Sequence, residues 1–148
     1  MTTIAPLAVS DRDEWLALWR GYLTFYEASL SDEVTDATFE RLIAGEELHG
    51  AVARDADGRA VGIVHWLTHS ATWTTTTYCY LEDLFVAPAT RGGGVGRALI
   101  EHVRSWADDA GCRKVYWLTQ QSNETARALY DRVATSTGFV HYEIPLHA

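Results

Sequence analysis

Cysteine is nearly absent from this chain, and so are long apolar runs. The two cysteines, Cys79 and Cys112, are too few for a disulfide framework and do not form a C-x-x-C pair, so we expect reduced, largely buried thiols. No apolar stretch approaches the ~20 residues that cross a bilayer, and the N-terminal residues lack a basic segment followed by an apolar one. We therefore expect a cytoplasmic protein with no membrane partner.

Positive charge is also scarce. The sequence has 12 Lys and Arg residues against 20 Asp and Glu residues, which gives a net charge of −8 at pH 7. Without a basic stripe the chain cannot neutralise a phosphate backbone, so we expect no nucleic-acid partner. An acidic surface attracts a cationic ligand such as a polyamine, a lysine side chain or an aminosugar, although it also serves solubility alone.

Metal ligands are not grouped in the sequence. His65 and His69 lie four residues apart on a strand-like run and so share a face. No third ligand lies near them, whereas zinc sites take at least three protein ligands. We therefore expect no metal site.

The composition is that of a folded domain. Hydrophobic residues make up 47% of the 148, enough for a core, and neither a linker nor an internal repeat interrupts the chain. We expect one domain over residues 1–148, with a capping box of Ser10 and Asp13 opening the first helix and Asp57-Gly58 turning a hairpin. Periodicity predicts strands at 4–9, 49–54, 60–69, 78–86, 114–119 and 138–146, and helices at 15–26, 35–44, from 95 to a Gly111 cap, and 123–133.

One junction between a strand and a helix indicates a ligand-binding site. Residues 81–86 form an apolar strand pattern, Leu-Glu-Asp-Leu-Phe-Val, an amphipathic helix begins at Val95, and glycines occupy positions 92, 93, 94 and 96. Glycine permits positive φ and a close approach of the backbone to a ligand, while the helix start offers free N–H groups and its positive dipole end. This junction predicts a loop that binds a diphosphate.

Two common nucleotide-binding motifs do not fit this loop. A P-loop requires Lys followed by Ser or Thr where this chain has Arg97-Ala98. The dinucleotide fingerprint G-x-G-x-x-G fails in both registers, since its sixth position is Arg97 when counted from Gly92 and Leu99 when counted from Gly94.

The remaining pattern, Arg91-x-x-Gly94-x-Gly96, resembles motif A of the GNAT superfamily of acetyl-CoA-dependent N-acetyltransferases. The segments 122–126 (Ser-Asn-Glu-Thr-Ala) and 128–130 (Ala-Leu-Tyr) add to the likeness, which favours the branch of spermidine/spermine and yeast-type histone and polyamine acetyltransferases. The resemblance implies an α/β (α+β) fold: a central mixed, mostly antiparallel sheet with a splayed parallel strand pair and helices on both faces. It also implies acetyl-CoA as cofactor and a primary amine as acceptor, either a polyamine, a lysine or a small molecule.

The resemblance also implies how the cofactor is held. The pantetheine arm would pair like an added strand with the backbone of Leu84, Phe85 and Val86. The pyrophosphate would lie on the backbone amides from Gly92 to Arg97. Asn123 would hydrogen-bond the pantetheine or its thioester end, and capping of the following helix is the alternative role for this side chain. The cofactor-binding residues expected are Leu84, Phe85, Val86, Arg91, Gly92, Gly93, Gly94, Val95, Gly96, Arg97 and Asn123.

Transfer to an amine requires a base and an acid. An alkylammonium has a pKa near ~10.4 and must lose a proton before it attacks a thioester. Glu82 and Asp83 are the candidates; in a regular strand only one of them faces the cleft, and the resemblance favours Glu82. Tyr130, on the same helix as Asn123, matches the family's tyrosine acid for the departing coenzyme A. Direct attack in a ternary complex requires no cysteine.

The sequence says less about the acceptor-binding site and about the oligomeric state. Tyr22, Tyr26 and Glu27 lie near the end of the first helix, where the family places acceptor-binding residues, and core packing is the alternative for each tyrosine.

Residues 138–146 are apolar on both faces and poorly suited to an exposed edge. Because close relatives in this branch pair or exchange C-terminal strands, we expect a homodimer; a monomer that folds back its own tail is the alternative.

A rival function belongs to a different class. An acyl-CoA-binding or sensor module would keep the cofactor site and lose turnover. Retention of both Glu82 and Tyr130 argues against it.

Overall fold

The computed structural model describes residues 1–147, and the chain divides into two units, Met1–Trp117 and Leu118–Ala148. Among the described residues, no helix has the length and apolar character that a bilayer crossing requires. The second unit contains α4 (Glu124–Val133). The first contains β1 (Thr3–Pro6), α1 (Arg12–Phe25), α2 (Asp32–Ala44), β2 (Leu48–Arg54), β3 (Ala60–Ser70), β4 (Thr77–Val86), α3 (Val95–Asp109) and β5 (Val115–Tyr116).

The five strands form one sheet in the order of the sequence, β1-β2-β3-β4-β5. The first three pairings are antiparallel, and β5 pairs with β4 in parallel through two residue pairs, Cys79 with Val115 and Tyr80 with Tyr116. Between β2 and β3 the predicted hairpin is present, with Gly58 at φ 84° and its N–H donating to the Asp55 carbonyl at 3.0 Å. The mixed, mostly antiparallel sheet with one parallel pair is confirmed.

Helices cover both faces of this sheet. His65 on β3 contacts the rings of Trp15 and Trp19 from α1, whereas the next residue, Trp66, contacts Trp106 from α3. Successive residues of a strand point to opposite faces, so α1 and α3 lie on opposite sides. The core on the α1 and α2 side contains Leu7, Trp15, Leu18, Trp19, Phe39, Leu42, Val52, Ile63 and Phe85.

The start of α1 differs from the prediction. Ser10 lies in a short 3-10 turn, Val9–Asp11, and α1 begins after it at Arg12, so the expected capping box is wrong. The Asp11 carboxylate accepts from the Ala8 N–H at 2.8 Å and also pairs with Arg54 on β2. This side chain is held by a tertiary ion pair, which the local pattern of the sequence does not contain.

Two predicted strands also differ. The strand expected at 114–119 is limited to Val115–Tyr116, and Leu118 is half exposed. The final strand expected at 138–146 is absent: these residues pair with no strand among residues 1–147. Extended residues become a strand only when another strand supplies hydrogen-bond partners, and within one chain none does so here.

Candidate functional site

Strand β4 contains a β-bulge at Glu82. On β3, His65 pairs with Asp83 and Trp66 pairs with Leu81, so the two carboxylate-bearing positions are not in regular register. Paired residues share a face of the sheet, which places Leu81 with Trp66 on the α3 side and Asp83 with His65 on the α1 side. The bulge therefore switches the face of β4 in the middle of the strand.

The bulge also changes the relation between the two carboxylates. The expectation that only one of them faces the cleft applied to a regular strand, and β4 is not regular at this position. Partial burial raises the pKa of the Glu82 carboxyl, and the neighbouring Asp83 charge raises it further. Arg41 on α2 and, when protonated, His65 act in the opposite direction. Glu82 thus shares the α1 and α2 side of the sheet with Asp83.

His65 links this pair to α1. The Trp15 indole N–H donates to His65 Nε2 at 3.0 Å, and His65 Nδ1 lies 2.9 Å from Asp83 Oδ2. Trp15 is fully buried, His65 is nearly so, and the Asp83 side chain is largely buried. His65 was expected only as a weak metal candidate, and its place beside Asp83 is a product of the strand register.

Tyrosines surround the two carboxylates. Tyr22 donates a hydrogen bond to Asp83, and burial followed by the Asp83 charge raises the pKa of Tyr22. The same two causes raise the pKa of Tyr26, whose ring lies 5.0 Å from that of Tyr22. Burial, and then the Glu82 charge, raise the pKa of Tyr80. Tyr22 also packs against Trp19 and Phe85 of the core, as the core-packing alternative expects. The acceptor role of Tyr22 and Tyr26 stays a prediction, and Tyr80 was not predicted.

The other edge of β4 is unpaired beyond Tyr80. β3 pairs with β4 up to Val86, but β5 ends its pairing at Tyr80, and no strand among residues 1–147 takes the positions that follow. The outer edge of the segment Leu84–Val86 is therefore open apart from the Val86 carbonyl, which accepts from the Arg91 side chain. An extended ligand can pair with the remaining backbone groups of this edge as a strand does.

The glycine loop leads from this edge into α3. Gly92 has φ 90° and Gly94, the residue before α3, has φ 84°; both values favour glycine. A Cβ at either position meets no atom within 4 Å, so the space beside the loop is open. The N–H groups of Val95, Gly96 and Arg97 lie in the first turn of α3, where no preceding carbonyl accepts them. The loop fits a diphosphate.

The side chain of Arg91, which was expected near the pyrophosphate, contacts the end of β4. Its Nε donates to the Val86 carbonyl at 3.1 Å, and its guanidinium lies 5.5 Å from the centre of the Phe85 ring and 5.7 Å from that of Phe25. The side chain is thus fixed across the end of β4.

The second unit carries the two remaining predicted residues. Asn123 Oδ1 accepts from the Ala126 N–H at 3.4 Å and caps α4, which confirms the helix-capping alternative. Tyr130 lies on α4, two turns after Asn123.

Elsewhere on the sheet, the remaining candidate ligands are engaged or buried. His69 Nε2 lies 2.7 Å from the Tyr116 hydroxyl, and among residues 1–147 no group of three or more His, Cys, Asp or Glu could hold a metal ion. Cys79 is fully buried, and burial raises the pKa of its thiol to about 12, whereas Cys112 is only partly buried.

Comparison with known proteins identifies the family. The sequence pattern of the acetyltransferase (GNAT) family matches residues 15–134. The chain belongs to the GNAT family. A D-amino-acid N-acetyltransferase of Saccharomyces cerevisiae, HPA3, is 40% identical over 142 residues, covering 95% of this chain and 88% of that protein. A thialysine N-epsilon-acetyltransferase of Caenorhabditis elegans is 31% identical over 134 residues, covering 90% and 80%.

A solved structure shows the same fold. The aminoglycoside acetyltransferase AAC(6')-Iy in complex with a bisubstrate analogue, CoA-S-monomethyl-acetylneamine, superimposes with a TM-score of 0.86 at 21% identity, over 99% of both chains. This GNAT protein is therefore an N-acetyltransferase, and acetyl-CoA is its acyl donor. The open edge of β4 and the glycine loop fit the pantetheine and diphosphate of that cofactor.

Proposed function

We propose that this acetyltransferase moves the acetyl group of acetyl-CoA to the primary amine of a small cationic molecule by direct attack in a ternary complex. The observation that carries this proposal is the acidic and aromatic surface on the α1 side of β4, made of Glu82, Asp83, Tyr22, Tyr26 and Tyr80. Carboxylates and tyrosine rings both bind ammonium groups. The net charge of −8 favours the same class of acceptor.

Glu82 is the better candidate for the base. Asp83 is engaged by His65 and Tyr22 and its side chain is only 14% exposed, whereas Glu82 is solvent-exposed at the bulge. A carboxylate whose pKa is raised towards the working pH is a stronger proton acceptor. Glu82 takes one proton from the acceptor ammonium and later releases it to solvent, which leaves the amine lone pair to form the new C–N bond.

The cofactor supplies an acetyl thioester, the acyl donor of the reaction. The backbone of Leu84, Phe85 and Val86 would pair with its pantetheine and polarise the thioester carbonyl. The loop amides from Gly92 to Arg97 would bind its pyrophosphate. Arg91, whose side chain is fixed at the end of β4, would hold the start of the loop in place. Asn123 would add a side-chain hydrogen bond while it caps α4.

Tyr130 is proposed as the acid. The family resemblance gives this tyrosine the task of donating its phenolic proton to the departing sulfur of coenzyme A. The second proton of the attacking nitrogen then restores the phenol through solvent. Together Glu82 and Tyr130 disfavour the alternative of an acyl-CoA-binding module without turnover. We also infer a single acetyltransferase domain from both units, because the family match at 15–134 crosses the boundary between them.

A second class of acceptor is an amino acid. The 40% identical yeast relative is named for D-amino acids, and such a substrate brings a carboxylate beside its amine. Arg41 on α2, close enough to Glu82 to act on its pKa, is a cation that could bind that carboxylate. Cationic amines and amino acids would therefore be bound by different side chains beside Glu82.

The exposed tail supports a homodimer. In the isolated chain, large apolar side chains of the last ten residues are solvent-exposed, Phe139 to 89% and Ile144 to 86%. Exposed apolar residues in an unpaired extended segment mark a site for pairing with another chain. We propose that a second copy of this chain covers the tail.

The first test is a screen of acceptors with acetyl-CoA that measures release of free thiol. Polyamines, lysine peptides and aminoglycosides are compared with D- and L-amino acids. We expect the cationic amines to turn over. Selective turnover of amino acids, lost in the Arg41→Ala variant, would favour the second class, and no thiol release with any amine would contradict the proposed transfer.

Glu82→Gln tests the base. Because only the carboxylate accepts a proton, wild-type activity falls as the pH drops through the raised pKa of Glu82. The variant should lose about 10²-fold in kcat/KM at neutral pH and lose this acidic limb, as measured by pH-dependent kinetics. Glu101→Gln, an exposed change on α3, is the control. If Asp83→Asn produces the loss and Glu82→Gln does not, the two roles are exchanged.

Gly96→Asp tests the cofactor loop. The added carboxylate brings bulk and like charge to the first turn of α3, so the affinity for acetyl-CoA should fall at least about tenfold, or ~1.4 kcal/mol, in calorimetric titration. Ala110→Asp adds the same charge at the opposite end of α3 and should bind normally. Unchanged affinity of the Gly96 variant would remove the phosphate-loop assignment.

Light scattering tests the assembly, with a dimeric mass expected at micromolar concentration. Ile144→Asp should produce monomers with little loss of folding in the monomer, because this side chain is exposed there. Val9→Asp changes another exposed apolar residue, 71% exposed and outside the tail, and should leave the dimer intact. A wild-type chain of monomeric mass, or a dimer that survives deletion of residues 139–148, counts against the proposal.

A further inference from the structure

Two tryptophans of α1 lie against the same histidine but use their N–H groups differently. Trp15 Nε1 donates to His65 Nε2 at 3.0 Å, while Trp19, whose ring centre lies 5.3 Å from that of His65, has a buried Nε1 without a hydrogen-bond partner. An indole N–H can only donate, so His65 Nε2 must be an acceptor without hydrogen. The ring hydrogen is then on Nδ1 and donates to Asp83 Oδ2 at 2.9 Å.

This tautomer leaves the Asp83 charge uncompensated. A proton on Nε2 would break the hydrogen bond from Trp15. With this hydrogen bond in place, the imidazole is a neutral donor that orients the Asp83 carboxylate. No Lys or Arg among residues 1–147 lies within 4.0 Å of the Asp83 carboxylate. Its other donor, the Tyr22 hydroxyl, is also neutral. A largely buried carboxylate that lacks a cation is unfavourable, and a bound ammonium group would compensate its charge.

We propose that Trp15 and His65 are positioning residues, which hold the Asp83 carboxylate in one orientation so that it anchors the ammonium group of the acceptor beside Glu82. Asp83 accepts from two neutral donors and an ionised carboxylate has about four acceptor positions, so capacity remains for the ammonium. The inference rests on the proposed function, since it concerns how the acceptor of that reaction is bound.

A purely structural role for Trp15 and His65 makes a different prediction. If they only fill the core, the loss of either ring affects folding and all kinetic constants together. If they position Asp83, the loss raises the KM of the acceptor, while the KM of acetyl-CoA stays constant because that site is formed by the β4 edge and the glycine loop.

The first measurement needs no turnover. Long-range ¹H–¹⁵N NMR spectra of the wild-type chain at neutral pH report which ring nitrogen of each histidine carries hydrogen, and the signals missing from the His65→Asn variant identify His65. We expect a protonated Nδ1 and a bare Nε2. A hydrogen on Nε2, alone or with Nδ1, would overturn the inference whatever the enzyme does.

The second measurement compares Trp15→Phe with Trp19→Phe, using the best amine of the acceptor screen. The two changes remove the same indole N–H and the same ring area from one face of α1, but only Trp15 donates to His65. We expect Trp15→Phe to raise the acceptor KM at least about fivefold, as for a lost hydrogen bond near a charge, and Trp19→Phe to stay within about twofold. Equal effects from both variants would overturn the inference.

A third comparison covers the case in which Trp15→Phe does not fold. His65→Asn keeps an N–H near the position of Nδ1, whereas His65→Leu does not. The acceptor KM should rise at least about tenfold in the leucine variant and be largely restored in the asparagine variant. Parallel loss in both would assign His65 a packing role only. Should the wild type acetylate no amine, the proposed function fails while the NMR result still decides the tautomer.

Discussion

The bulge at Glu82 is the constraint on which the rest of the site depends. Before it, Leu81 faces α3; after it, Asp83 and Phe85 face α1. One extra residue therefore ends one packing surface and starts another within a single strand. It also brings two adjacent carboxylates to the same side, which regular alternation does not allow. Everything that we assign to the acceptor side follows from this change of face.

Electrostatics and packing are combined at this point. A largely buried carboxylate without a cationic partner destabilises the fold, and in the proposed arrangement the donors that offset this are the imidazole of His65 and the hydroxyl of Tyr22. The donors come from the core of α1 and β3, so they are rigid. A rigid anion with remaining acceptor capacity is a pre-organised site for a cation, which an exposed and mobile carboxylate is not.

The cofactor side depends on a complementary feature, the early end of the pairing between β4 and β5. Only two residue pairs join these strands, so the backbone beyond Tyr80 keeps an open edge next to the acidic surface. At the end of the same strand, positive φ at Gly92 and Gly94 turns the chain into α3 and leaves its first N–H groups exposed. In the proposed reaction, the thioester and the amine would therefore meet along this strand.

The features of this protein that depend on local physics were predictable from its amino-acid sequence. The glycine loop with Gly94, the helix that follows it and the Gly58 turn were predictable, because backbone conformation and helix periodicity are encoded within a few residues. The family pattern at Arg91, Gly94 and Gly96 added the acyl donor. Glu82 and Asp83 were predictable as a pair of carboxylates.

The arrangement of these parts depends on tertiary contacts, which the local sequence does not contain. The bulge, the bond from Trp15 to His65 and the place of Tyr80 depend on contacts between residues distant in the sequence, and so does the ion pair of Asp11 with Arg54. The C-terminal tail shows that a local pattern is not enough to form an element. Phe139 and Ile144 lie in a segment with a strand pattern, yet this segment forms no strand in the described residues. A β-strand forms only when a second segment pairs with it, and the pattern of one segment does not provide that second segment.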